Sequence, residues 1–149
     1  MTLHSAHFAP WEVAPGLHKE MRWEDPQASM LGLDPRLLPL GDAIRDLLCV
    51  PCLINDYAIG GTREFCGIRT PRCPQYSPGS WHSISSAHLC GALDLHPHGM
   101  SADNARELIR KAVASGGLPD LGGLELDVSW VHVDVRPRRS DGSLVEFRA

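Results

Sequence analysis

Ser129-Trp130-Val131-His132-Val133-Asp134-Val135-Arg136 alternates without a break. Successive side chains of an extended chain point to opposite faces, so Val131, Val133 and Val135 fall on one side and Trp130, His132, Asp134 and Arg136 on the other. The sequence predicts a strand over 128–136 with an aliphatic inner face and a line of polar and aromatic groups outside. Ala92 to His96 repeats the pattern, with Leu93 and Leu95 on one face and Asp94 and His96 on the other. Two such strands give a sheet with one face in a core and the other free to carry chemistry.

Outward from these strands, other elements follow from periodicity and turn chemistry. Leu37, Leu40, Ile44, Leu47 and Leu48 recur at near-helical spacing, predicting an amphipathic helix over 34–48, interrupted early by Pro39 and Gly41. Ser101 is placed to cap a second helix with a stripe of Ala105, Leu108, Ile109, Ala112 and Val113, ended by Gly116-Gly117. Val50 to Asp56 reads as a short strand, and Tyr57 to Ser86, rich in Gly, Pro, Ser and Arg, as a long loop. Ser143 to Phe147, after Asp141-Gly142, reads as a hairpin partner. The segment up to about Met30 is expected to be mostly loop and short helix. The fold class expected is α+β: a small central antiparallel sheet flanked by helices, in a single domain over 1–149.

Composition narrows the function. With 149 residues and 43 % hydrophobic content the chain can bury one core. A net charge of −4 with scattered Lys and Arg argues against nucleic acid as a partner. No window approaches the roughly 18 apolar residues of a membrane span, and the N-terminus lacks the pattern of a signal peptide. A protein that is cytoplasmic as synthesised is the expectation. Five cysteines, Cys49, Cys52, Cys66, Cys73 and Cys90, do not make a complete disulfide framework. Cys49-Val50-Pro51-Cys52 has the spacing of a redox pair but lacks the surrounding context, and reads as two small buried hydrophobes.

His88, Asp94 and His132 come from a loop end and the two strands, and imidazole plus carboxylate is a donor set that suits zinc. Three protein donors with an open position are the arrangement of a catalytic site. These residues resemble the zinc D-alanyl-D-alanine carboxypeptidases and endopeptidases of bacteria and phages, which share a fold with lysostaphin-type peptidases and the Hedgehog signalling domain. Ser86-Ala87-His88-Leu89-Cys90-Gly91-Ala92-Leu93-Asp94 is similar to the family motif Ser-x-His-x-x-Gly-x-Ala-x-Asp. Trp130 to Arg136 is similar to its aromatic-Val-His-Val-Asp-x-Arg motif. Asn55-Asp56-Tyr57 with Gly60-Gly61 and Cys66-Gly67-Ile68-Arg69 resembles the segment leading into the first motif.

The resemblance implies a zinc peptidase cutting an amide bond next to D-alanine in peptidoglycan stem peptides, with a phage lysis enzyme or virion component as the setting. It implies His88, Asp94 and His132 as zinc ligands. Arg69, with Arg63 as the competitor, would grip a substrate carboxylate, for which a guanidinium fork is suited; Ser86 and Trp130 would lie beside the substrate. For the proton-carrying base Asp127 is preferred over Glu125. Asp134 is expected to orient a ligand or pair with Arg136. One departure sets a condition: Asp94 follows His88 one residue sooner than in that family, so the missing residue has to be absorbed in the turn from His88 to Gly91. His82, His96 and His98 are substitute donors, read as mostly surface histidines. The alternative function is a non-catalytic domain that keeps the fold and binds wall peptides or a protein; a thiol protein built on Cys49 and Cys52 is a third.

Overall fold

The computed structural model describes residues 4–14, 32–71 and 73–148. Most of the N-terminal segment read from sequence lies outside them; within it, Pro10–Val13 forms a short helix, α1. The remaining helices are α2, Leu37–Leu48, and α3, Ala102–Ala114. The strands are β1, Cys52–Leu53; β2, Ala92–Pro97; β3, Gly123–Glu125; β4, Val131–Asp134; and β5, Val145–Phe147. They form one sheet in the order β1-β2-β4-β3-β5. The class is α+β. No helix among the described residues is long and apolar enough to cross a membrane.

Helix α2 runs through Pro39 and Gly41 instead of breaking there. Pro39 sits in the first turn, where backbone N–H groups have no intrahelical partner to lose. Gly41 faces the sheet: a Cβ there would lie 3.2 Å from Leu93 Cδ1 and 3.3 Å from Phe8 Cε2, so the missing side chain lets the helix approach closely. Helix α3 starts where Ser101 Oγ accepts a hydrogen bond from Asn104 N at 3.2 Å. Both helices pack against β2, and Leu93, Leu95, Val131 and Val133 join Leu37, Ile44, Ala105 and Ile109 in one core. The alternation therefore does its work: aliphatic residues of β2 and β4 face the helices, and Asp94, His132 and Asp134 face away.

The C-terminal strand departs from the hairpin expectation. The turn after Arg139 forms locally, with Arg139 N donating to Ser143 O and Gly142 N to Arg139 O. Yet β5 pairs in parallel with β3, Val145 opposite Gly123, because both edges of β4 are already taken by β2 and β3. The sheet is thus antiparallel except at this edge. The expected strand over 50–56 shrinks to the two residues of β1.

Among its described residues the expected long loop contains a single 3₁₀ turn, Tyr57–Ile59, and is otherwise irregular but pinned down. Arg69 bridges to Ser83 in parallel, Asp94 N donates to Cys66 O and Gly91 N donates to Trp81 O. These bonds fold the loop over the polar face of β2 and β4.

Candidate metal centre

Asp94 and His132 are direct neighbours across the β2/β4 ladder. Asp94 N–H points away from β4, to Cys66 O, while Val135 N donates to Gly91 O three residue pairs along the ladder. Asp94 and His132 are therefore a non-hydrogen-bonded pair, the kind whose side chains stand closest together. His132 Nδ1 lies 2.8 Å from Asp94 Oδ1. The third donor is His82, from the loop: its Nε2 lies 3.2 Å from Asp94 Oδ1 and 3.2 Å from His132 Nδ1. All three residues are buried, between 3 and 6 % exposed.

What lies behind each ring fixes which nitrogen faces inward. His82 Nδ1 is 2.9 Å from Gly67 O, an acceptor only, so Nδ1 carries the proton and Nε2 presents its lone pair. His132 Nε2 donates to Asp134 Oδ2 at 3.1 Å, leaving Nδ1 for the centre. Asp134 is held in turn by Arg136, which donates from Nη2 at 2.6 Å and from Nε at 2.8 Å, as the sequence reading allowed. The Arg136 guanidinium lies 4.3 Å over the Phe147 ring. Gly123 makes room for this chain, because a Cβ there would stand 2.2 Å from Asp134 Oδ1. Imidazoles whose outer nitrogens are tied to a carbonyl and a carboxylate are the arrangement seen behind metal-ligating histidines.

Three lone-pair atoms thus converge within 2.8–3.2 Å of one another, and His82, Asp94 and His132 form a group able to hold a metal ion. Tetrahedral zinc with bonds of roughly 2.0–2.1 Å separates its donors by about 3.3 Å, so the trio fits after opening slightly. Without an ion the charges arrange themselves differently. Burial lowers the pKa of His82. Burial also acts against a charged His132, but its hydrogen bonds to Asp134 and Asp94 prevail and raise it to about 9. Burial works against ionised Asp94 as well; its neighbours His82 and His132 outweigh it and hold the carboxyl well below the usual range.

A cavity of about 350 Å³ opens on the centre, bordered by Arg69, Trp81, Glu125, Trp130 and Phe147. Glu125 is buried, its Oε2 3.9 Å from His132 Nδ1. Arg69 is anchored through Nε to Phe65 O at 2.9 Å and brings Nη2 to 3.8 Å from Asp94 Oδ2. A second cavity of about 260 Å³ shares Asp94, Arg69 and Trp130 with the first and is bordered by Arg63, Cys66 and His96.

Several sequence expectations are corrected here. His88 is not at the centre: its ring stacks on Trp81 at 4.8 Å and its Nδ1 donates to Leu89 O at 2.9 Å. His82, read as a surface residue, stands where His88 was expected. Its position in an aperiodic loop left only the flanking Trp81 and Ile84 as a sign of burial. Asp127, the preferred base, is exposed, sits in the left-handed region at φ 61° and pairs with Arg148, whereas Glu125 faces the cavity. Arg63 is committed to Asp56, donating from Nη1 to Oδ2 at 2.8 Å. Ser86 is exposed and lines neither cavity. His96 lies 3.4 Å from Cys66 Sγ, and His98 is exposed. All five cysteines are free thiols, Cys49 and Cys52 included.

Comparison with protein-family models, with curated proteins and with solved structures finds no match for this chain.

Proposed function

We propose that this protein is a zinc-dependent peptidase that hydrolyses an amide bond next to D-alanine in the peptide stems of bacterial peptidoglycan, as a phage lysis enzyme or virion component does. The observation that carries the reading is the convergence of His82, Asp94 and His132, with both outer ring nitrogens tied back, at the floor of a cavity. The substrate class rests on the resemblance of the motifs around Asp94 and His132 to the D-alanyl-D-alanine peptidases. Zinc in such a site supplies Lewis acidity, polarising a carbonyl and acidifying a water.

The chain's own residues supply the rest. Glu125 accepts a proton at Oε2 and returns it to the departing amine; it is buried at the cavity wall and within reach of the centre, as a general base has to be. Arg69 grips a substrate carboxylate: with Nε fixed to Phe65 O, the remaining N–H groups of its fork stay oriented toward the cavity side of Asp94. Trp130, Trp81 and Phe147 form apolar walls that keep bulk water from the reacting bond.

The test is digestion of purified peptidoglycan with product masses read by mass spectrometry, on protein as purified, stripped with chelator, and reloaded with zinc. The expected result is cleavage products ending or beginning at D-alanine, lost on stripping and restored by zinc. Zinc-loaded protein that binds wall fragments and releases no new amino groups overturns the enzyme reading in favour of a wall-binding domain.

A further inference from the structure

Arg106 projects from α3 and is only 2 % exposed. Its Nε donates to Glu125 O at 2.8 Å, and its Nη2 donates both to Val128 O at 2.5 Å and to Trp130 O at 2.7 Å. Nη1 donates to Asp103 Oδ1 at 2.7 Å, an otherwise exposed carboxylate. Four guanidinium N–H bonds are thus in use, three of them on backbone carbonyls of one turn.

That turn joins β3 to β4 and carries two residues of the cavity wall, Glu125 at its start and Trp130 at its end. It contains Asp127 in the left-handed region, and Leu126 N donates outward to Phe147 O. Carbonyls shielded from water need partners, and Val128 and Trp130 lie between the strands, outside any ladder that could supply them. The geometry points to Arg106 as a positioning residue: it fixes the β3–β4 turn so that Glu125 and Trp130 stand at the cavity, while touching neither the metal donors nor the cavity itself. A rigid planar fork is what three carbonyls at fixed angles require; a lysine ammonium is a compact point donor and does not span them. The inference rests on the proposed role of Glu125 for its kinetic consequence, and on geometry alone for its structural one.

The test compares the full chain with Arg106→Gln and Arg106→Lys. Three readouts are taken: metal affinity by competition with a chromophoric chelator, hydrogen–deuterium exchange of amides 126–131 against those of β2, and steady-state hydrolysis of peptidoglycan fragments. In both variants metal affinity stays within about threefold, and exchange over 126–131 rises about tenfold relative to β2. In Arg106→Gln, kcat falls about 10²-fold with KM changed less than about threefold, the signature of misplaced catalytic groups; Arg106→Lys recovers part of it. Unchanged exchange in a folded variant overturns the inference, as does loss of metal in proportion to activity. Failure of both variants to fold also overturns it, since Arg106 is then a core residue with no separable effect on the turn. If the parent protein hydrolyses nothing, the peptidase reading fails, while exchange and metal affinity still decide the role of Arg106.

Discussion

His82 and His88 leave the same loop, yet only His82 joins the group that could hold a metal ion. His82 is buried with its outer nitrogen on Gly67 O and its inner one within 3.2 Å of Asp94 and His132. His88 is half-buried, stacked on Trp81, with its Nδ1 turned to the neighbouring Leu89 carbonyl. Glu125 and Asp127 make the same contrast on the β3–β4 turn, one buried at the cavity and one outside on Arg148. In each pair residue type is equal or nearly so. The difference lies in what the backbone closes behind the side chain.

The largest effect expected separates the two histidines. His82→Ala lowers zinc affinity by more than about a hundredfold, since one of three donors is gone, whereas His88→Ala leaves it within about twofold; competition against a chromophoric chelator reads both. Zinc loss in His88→Ala with retention in His82→Ala breaks the comparison outright. Next come the two carboxylates. Glu125→Gln keeps the metal and slows peptidoglycan hydrolysis by about 10²–10⁴-fold, while Asp127→Asn stays within about threefold in a dye-release or amino-group assay.

A smaller effect belongs to the group behind His132. Asp134→Asn weakens zinc binding about 10–100-fold, because the amide no longer accepts and orients as a carboxylate does, and isothermal titration measures it. The smallest is a pH effect on metal-free protein. His132, raised from 6.5 to about 9, contributes stability that is complete below its unfolded pKa and is lost as the pH rises through about 9. Asp94 and Asp134, held below the usual carboxylate range, contribute at the other end, above their unfolded values, and lose that contribution in acid. In chelator the urea midpoint therefore falls between pH 7 and pH 9.5, and less so with zinc bound. A midpoint that rises over this interval contradicts a charged His132 in the metal-free protein.

Much of the sheet was legible because alternation is a local property. Val131 and Val133, like Leu93 and Leu95, each need only their own strand to be assigned a face, and that assignment put Asp94 and His132 on one surface. Ser101 capped its helix as its position implied. Pro39 and Gly41 misled because propensity ignores the first-turn exemption and the close approach of Phe8 and Leu93. The turn at Asp141-Gly142 was readable, but its strand partner was not, since occupancy of the β4 edges depends on the whole sheet.

By itself, then, the sequence determined the two strands, the helical core behind them and two of three converging donors, since periodicity is encoded by near neighbours. Only the tertiary structure decided that His82 and not His88 completes the group, that Glu125 and not Asp127 faces it, and that β5 joins β3. Those choices depend on how an aperiodic loop crosses the sheet and on backbone partners such as Gly67 O, Cys66 O and Trp81 O, whose meeting with distant residues no local pattern records.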